Sequence, residues 1–249
     1  MARALMIRLL SAELFRLELR ARMPFRYGIA TMTDVPQLIA RLTFEFNGHA
    51  ETGIAADLLP PKWFTKDPTR ALGDEIDEML RVIRRAIVHA QAIRAATPFA
   101  FWRELYTAQA AWAATENLPP LLSNFGTSFV ERSLLHALCR RHRVNLATAF
   151  RENLPGIDFA GLQPKLAGQR PRDFLPATPT AAIFARHTVG LSDPITAGDL
   201  AAGERVEDGL PQTLDEVIRF YGLRHFKIKI NGEAARDRVA GSVAAHLIA

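Results

Sequence analysis

Residues 224–232 read Arg-His-Phe-Lys-Ile-Lys-Ile-Asn-Gly, and this stretch decides how the chain is interpreted. Side chains of a β-strand alternate between the two faces of a sheet, so residues two positions apart point the same way. The alternation therefore predicts that Phe226, Ile228 and Ile230 share one face, and that Lys227 and Lys229 share the other. Adjacent ammonium groups that are partly desolvated lower each other's pKa, which makes a lysine a usable base near neutral pH.

A surface strand with a solvated lysine face is the alternative interpretation, and spacing alone favours it because lysine is rarely buried. A lysine that points into a dry interior is costly unless it has a chemical task. His225 is assigned to the face opposite the lysines and given no catalytic role. His187, on an earlier predicted strand, is interpreted as a structural histidine near the strand end. The choice between the two interpretations therefore depends on the rest of the chain.

The composition is typical of a soluble globular protein with a substantial core. The chain has 249 residues, of which 49% are hydrophobic and 23% are charged. The net charge of +5 is small and the basic residues are scattered, so we expect no nucleic-acid partner. No apolar run approaches the roughly 18 residues of a membrane span, and no signal-peptide cleavage pattern follows the start. We therefore expect a cytoplasmic protein without a membrane partner.

Up to about residue 150, the pattern predicts an antiparallel meander followed by helices. Alternation of apolar and polar residues predicts three strands, over residues 13–20, 37–46 and 49–56. Asn47-Gly48 predicts a tight turn between the last two strands, and a loop is predicted over residues 23–36. Helical periodicity then predicts three helices, over residues 74–95, 97–114 and 128–150.

From residue 154 the pattern changes. Residues 154–179 are rich in proline and glycine, which predicts a connection between domains. Strand, helix, strand and helix are then predicted, over residues 180–189, 213–221, 223–230 and 233–249. This order predicts parallel strands joined by crossovers, which is how a β/α barrel begins. The expected fold class is an α+β cap domain in residues 1–153, a connection in residues 154–179, and the first units of an incomplete β/α barrel in residues 180–249.

With this arrangement, the chain resembles the enolase superfamily, of the mandelate racemase and muconate-lactonizing enzyme type. Met-Pro-Phe-Arg-Tyr-Gly at residues 23–28 looks like the family's mobile cap loop over the substrate. Glu-Thr-Gly-Ile-Ala-Ala at residues 51–56 looks like its second cap element. Residues 226–232, with Arg236-Asp237 after them, look like the second barrel strand running into its helix. Among these segments, only the Lys-x-Lys motif is chemically specific.

The resemblance implies that a magnesium ion binds a small-molecule carboxylate substrate and that a base removes the proton on the adjacent carbon, giving an enolate. By position, Lys229 is the base or acid, and Lys227 lies beside it and stabilises the developing negative charge. The same resemblance implies that Phe25, Arg26 and Tyr27 close over the substrate, where Arg26 can pair with a carboxylate. An ordinary strand-to-loop turn is the alternative for this segment. Assembly into a homo-oligomer stays open.

The sequence departs from the family's pattern in its metal ligands. The family holds magnesium with carboxylates at the ends of the third, fourth and fifth barrel strands, so no metal ligand is assigned in this sequence. A full barrel needs about 250 residues, and only roughly 70 follow the cap and the connection. We therefore expect a truncated or fragmentary chain that lacks turnover by itself.

Two functional hypotheses follow from the sequence. The first is the N-terminal portion of a magnesium-dependent racemase, epimerase, cycloisomerase or dehydratase, that is, an isomerase or lyase. The second is a non-catalytic, degenerate relative that acts as a binding or assembly module.

Overall fold

The computed structural model describes residues 6–230, 232 and 241, and the chain divides into two compact units. Unit 1 comprises Met1–Leu19 and Val35–Pro179, and unit 2 comprises Arg20–Asp34 and Thr180–Ala249. Residues 20–34 thus belong to unit 2, although they lie within the predicted cap in sequence. The domain boundaries at residues 153 and 179 stay a prediction.

A three-stranded sheet in the order β1-β2-β3 confirms the predicted meander. Its strands are β1 (Ile7–Tyr27), β2 (Ala30–Phe46) and β3 (His49–Leu58). Strands β2 and β3 are antiparallel, and Phe46 pairs with His49 across the predicted turn. Asn47 and Gly48 both have positive φ, at 55° and 85°, the combination that this kind of two-residue hairpin turn requires.

The predicted loop over residues 23–36 is wrong. Strand β1 continues to Tyr27 and β2 starts at Ala30, with a tight turn at Gly28, whose φ is 52°. Pro24 lacks the N–H group that a sheet ladder uses, but β1 is an edge strand, where such a residue is tolerated. Exposure alternates along residues 21–27, as in a regular strand.

Four helices follow the sheet in unit 1: α1 (Leu72–Ala92), α2 (Pro98–Thr115), α3 (Pro120–His142) and α4 (Leu146–Arg151). Thr97 caps α2, because its hydroxyl accepts a hydrogen bond of 3.1 Å from the N–H of Ala100. The single helix predicted over residues 128–150 is wrong. Arg143, with a φ of 55°, ends α3, and Asn145 caps α4 through a hydrogen bond of 2.8 Å from the N–H of Thr148.

The core of unit 1 lies between the sheet and helices α1, α2 and α3. Strand β2 contributes alternate residues to it, of which Ala40, Leu42 and Phe44 are fully buried. The Phe44 ring meets Phe101 of α2 edge to face, with ring centres 5.9 Å apart. Residues 154–179 contain no α-helix or β-strand, only two short 3₁₀ turns. Within the described ranges, no helix is long and apolar enough to cross a membrane.

The described part of unit 2 contains two parallel strands, β4 (Arg186–Val189) and β5 (His225–Ile228), with helix α5 (Leu214–Tyr221) between them in sequence. The predicted parallel pairing is confirmed, although β4 is shorter than the predicted strand. Gly222 ends α5 in the left-handed conformation, with a φ of 62°. The helix predicted over residues 233–249, including Arg236 and Asp237, lies outside the described residues apart from Gly241.

Candidate functional site

The apolar face of β5 packs against α5. Phe226 and Ile228 lie against a small core of buried residues, namely Val189, Leu214 and Ile218. The β4–β5 register pairs Val189 with Ile228 and Thr188 with Lys227. The predicted division into an apolar face and a lysine face is therefore confirmed for residues 226–228. It is wrong for Ile230, which lies beyond the end of β5 and is 69% exposed.

Lys227 and Lys229 lie at the C-terminal end of β5. Lys227 is exposed on the face opposite α5, and its ammonium group makes no hydrogen bond or ion pair with another described residue. Lys229 follows the last strand residue and is half-buried. Its backbone N–H donates a hydrogen bond of 3.0 Å to the carbonyl of Val189, which continues the ladder between the strands. The C-terminal ends of parallel strands are where β/α proteins build their sites.

The assignment of His225 to the opposite face is wrong. His225 and Lys227 are two positions apart and both are exposed, whereas Phe226 and Ile228 are half-buried. The His225 ring stacks on Phe184, with ring centres 4.6 Å apart and an interplanar angle of 28°. The alternation of the strand was the signal that places this imidazole on the lysine face.

In the turn after β4, the carboxylate of Asp193 binds the backbone of the turn itself. Asp193 accepts a hydrogen bond of 2.7 Å from the N–H of Gly190, which closes the turn. Asp199 similarly accepts hydrogen bonds of 3.0 and 2.8 Å from the N–H groups of Ile195 and Thr196. In residues 6–230, 232 and 241, no group of three or more His, Cys, Asp or Glu side chains could hold a metal ion. The described residues of this chain therefore do not fit a magnesium site.

The segment predicted to cover the substrate is the end of strand β1. The N–H of Leu191 donates a hydrogen bond of 3.4 Å to the carbonyl of Arg26, so this backbone lies beside the turn after β4. Tyr27 is buried and the half-buried ring of Phe25 stacks on it, with centres 6.0 Å apart. The side chain of Arg26 is exposed. The structure thus brings this segment to the C-terminal end of β4, and contact with Lys227 or Lys229 stays a prediction.

An ion pair joins the end of β1 to the loop before α5. The Nε and Nη2 atoms of Arg22 donate to the two carboxylate oxygens of Asp208, at 2.5 and 2.6 Å. The same guanidinium group also donates to the carbonyls of Leu210 and Pro211, at 3.1 and 3.0 Å. This bidentate pair fixes the end of β1 within unit 2. No local sequence signal predicts it, because the partners are 186 positions apart.

Acid is expected to loosen unit 2. The hydrogen bond from Arg22 lowers the pKa of Asp208 from 3.8 to about 2, and the one from Arg205 lowers the pKa of Glu216 from 4.5 to about 2. Folded-state pKa values below the unfolded ones stabilise the fold above about pH 4.5, and this contribution disappears as the pH falls towards 2. Thermal melting of unit 2 between pH 4.5 and pH 2 tests this expectation, with the methyl NMR signals of Val189 and Ile218 as the readout.

The matched variants are Asp208→Asn and Glu207→Gln, which change neighbouring acidic residues in the same loop. Asp208→Asn is expected to weaken the acid dependence, because the titrating partner of Arg22 is gone while Glu216 still titrates. Glu207→Gln is expected to leave it as in the wild type. Equal acid sensitivity in all three proteins would contradict this account.

No protein-family model and no curated protein sequence matches the chain. Solved structures do match it, as three examples show. A mandelate racemase/muconate lactonizing enzyme-like protein from Rubrobacter xylanophilus has 14% identity and a TM-score of 0.57, over 97% of this chain and 50% of that chain. An enolase from Bradyrhizobium, complexed with magnesium and mandelic acid, has 16% identity and a TM-score of 0.55, over 100% of this chain and 52% of that chain. The L-Ala-D/L-Glu epimerase from Bacillus subtilis has 16% identity and a TM-score of 0.53, over 97% of this chain and 51% of that chain.

The chain spans about half the length of the solved structures that it matches. At these identities the likeness concerns the fold, and it confirms the fold expected from the resemblance. The antiparallel sheet with its helices corresponds to the cap domain, and the parallel β4–β5 pair corresponds to the first barrel units. The chain therefore has the fold of the N-terminal half of enolase and mandelate racemase/muconate lactonizing enzyme structures.

Proposed function

We propose that this chain is the N-terminal portion of an enzyme that removes the proton next to a substrate carboxylate and forms an enolate. Racemases, epimerases, cycloisomerases and dehydratases can all use this step. The observation that carries the proposal is the placement of Lys227 and Lys229 at the C-terminal end of a parallel strand whose other face is covered by α5. The fold shared with racemase-type and epimerase structures supports it.

In this proposal, Lys229 transfers the proton and Lys227 supports it. Lys229 is half-buried, so its amine is partly shielded from water and suited to act as base or acid. Lys227 is two positions earlier in the sequence, and in this proposal its ammonium group stabilises the negative charge that develops on the enolate. Arg26 supplies an exposed guanidinium group at the end of β1 for the substrate carboxylate.

Magnesium is implied by the resemblance, and the Bradyrhizobium structure is complexed with it. The described residues of this chain do not fit such a site, since Asp193 and Asp199 are engaged by local backbone N–H groups. The roles given to the lysines and to Arg26 therefore do not pass through a metal.

Magnesium is expected to bind the 249-residue chain no more tightly than roughly millimolar, because the described carboxylates do not converge. Isothermal titration calorimetry of the purified chain, beside a circular dichroism melt that shows it is folded, measures this directly. Micromolar binding to the folded chain would contradict the expectation and would direct attention to residues outside the described ranges, such as Asp237.

The reaction itself is tested by proton exchange in D₂O. The chain is joined to the C-terminal half of the Bacillus subtilis epimerase, and mandelate and an Ala-Glu dipeptide are followed by ¹H NMR with magnesium present. Exchange of the α-proton for deuterium is expected in this fusion. Lys229→Met is expected to slow it by about 100-fold or more, because the base is removed.

Lys165→Met is the matched control, since Lys165 is an exposed lysine of unit 1. Exchange that survives Lys229→Met would remove this lysine from the mechanism. A folded fusion without any exchange would count against the enzymatic proposal and in favour of a non-catalytic binding or assembly module.

A further inference from the structure

Unit 1 contains a pocket of 240 Å³ that plays no part in the proposed proton transfer. Phe99 and Trp102 of α2 form one wall, and Leu134 and Leu135 of α3 form another. Residues 155–162 close a further side, with Ile157 among the lining side chains. The lining is predominantly apolar and aromatic, which is the usual character of a small-molecule site.

One carboxyl group lies in this apolar wall. Glu131 of α3 is half-buried and makes no hydrogen bond with another described residue. Burial raises the pKa of this carboxyl above its usual range, and the positive charge of Arg132 offsets the effect only in part. The Arg132 guanidinium group donates instead to the carbonyl of Ala56, at 2.9 Å. Glu131 is thus a partly desolvated acid that forms no ion pair with another described residue.

Hydrogen bonds hold the loop that closes the pocket. The N–H of Phe99 donates to the carbonyl of Pro155 at 2.9 Å, which ties the loop to the start of α2. The side chain of Asn153 accepts from the N–H of Ile157 at 2.7 Å and donates to its carbonyl at 3.1 Å. A wall built in this way is preformed, so a ligand does not have to order it on binding.

The aromatic wall is a packed stack of rings. The rings of Phe99 and Trp102 are stacked with centres 5.6 Å apart, and Trp102 also contacts Tyr106, with centres 5.5 Å apart. The guanidinium group of Arg103 lies over the Phe99 ring, 5.9 Å from its centre. The wall therefore supplies apolar surface, and the carboxyl group of Glu131 supplies the attraction for a cation.

We propose that this pocket binds a small primary amine with an aromatic or branched aliphatic group, whose ammonium pairs with Glu131. A neutral ligand of the same shape fills the apolar space but leaves the carboxyl without a partner, which is costly in a desolvated site. An anionic ligand adds repulsion from Glu131. The pocket volume of 240 Å³ is below the roughly 300–1,000 Å³ of drug-sized sites, so the amine is small.

The test compares three probes of similar shape: 2-phenylethylamine, 2-phenylethanol and 3-phenylpropanoate. Binding to the full chain is measured from the ¹³C-methyl NMR shifts of Leu134, Leu135 and Ile157, which line the pocket. The amine is expected to bind about tenfold or more tighter than the alcohol, and the anion weakest, because only the amine pairs with the carboxylate.

Two variants and one control distinguish the contribution of the Glu131 charge from that of the apolar pocket. Glu131→Gln is expected to bring the amine's affinity down to that of the alcohol, whereas Glu104→Gln, an exposed residue of α2, leaves it unchanged. Ile157→Trp fills the pocket and is expected to abolish binding of both probes. If Glu131→Gln does not fold, the preference of the wild type for the amine, and the loss of amine binding in Ile157→Trp, still test the proposal.

Three results would overturn the proposal. These are equal affinity for amine and alcohol, an amine affinity that survives both Glu131→Gln and Ile157→Trp, and absence of binding for all three probes.

Discussion

Replacing Gly53 with alanine is expected to destabilise unit 1 by about 3 kcal/mol, the upper end of the usual cost of overpacking. A Cβ atom at this position of β3 would lie 1.8 Å from the carbonyl oxygen of Ser133 and 2.7 Å from its carbonyl carbon. Both atoms belong to the backbone of α3, so no flexible side chain can move aside. Strand β3 or helix α3 would have to shift, and the core between them would be disrupted.

Gly73→Ala is the matched control, because a Cβ there has no atom within 4 Å. Gly73 lies in the first turn of α1, where alanine is expected to be neutral or up to about 1 kcal/mol more stable. Urea unfolding followed by helical circular dichroism reports mainly on unit 1, which contains α1 to α4. A Gly53→Ala protein within about 0.5 kcal/mol of the wild type would show that the β3–α3 spacing is adjustable.

Gly53 illustrates what the sequence could not predict. A glycine within a strand suggests that another group approaches the backbone closely, but it does not identify that group. Gly126, in the middle of α3, has the same character, since its Cβ would lie 2.3 Å from the carbonyl oxygen of Val82 in α1. Both contacts become visible only when the elements are packed.

Local signals did predict much of the fold. The Asn47-Gly48 turn and the alternation along residues 37–46 and 49–56 each depend on neighbouring residues, and the hairpin that they predict is confirmed. The errors arose where context overrides a local signal. Pro24 is tolerated because β1 is at the sheet edge, and the break at Arg143 occurs without glycine or proline.

In the candidate site, too, some features follow from local sequence and others depend on distant contacts. Alternation along β5 predicted the two faces, and the misassignment of His225 contradicted that same rule. The ion pair between Arg22 and Asp208 depends on a contact across most of the chain, which neither residue's neighbours indicate. This contact and the backbone hydrogen bond from Leu191 to Arg26 hold the end of β1 within unit 2.

Replacing Lys62 with methionine is expected to cost about 3–5 kcal/mol, as when one partner of a buried ion pair is removed. The side chains of Lys62 and Glu75 are each only 6% exposed, and Nζ of Lys62 lies 2.7 Å from Oε1 of Glu75. The same ammonium group donates to the carbonyls of Asp67 and Arg70, at 2.7 and 2.6 Å. Its removal leaves a carboxylate and two carbonyls in the interior without their donor.

A double variant separates the charge from the packing. Lys62→Met/Glu75→Gln removes both charges, while the glutamine oxygen can still accept the hydrogen bond that Glu75 receives from the N–H of Lys62. This variant is expected to be more stable than Lys62→Met alone, because no unpaired charge stays buried. Lys66→Met, at an exposed position four residues away, is expected to stay within about 0.5 kcal/mol of the wild type. Urea unfolding of the four proteins decides the matter, and a Lys62→Met protein as stable as Lys66→Met would mean that the pair contributes nothing to the loop before α1.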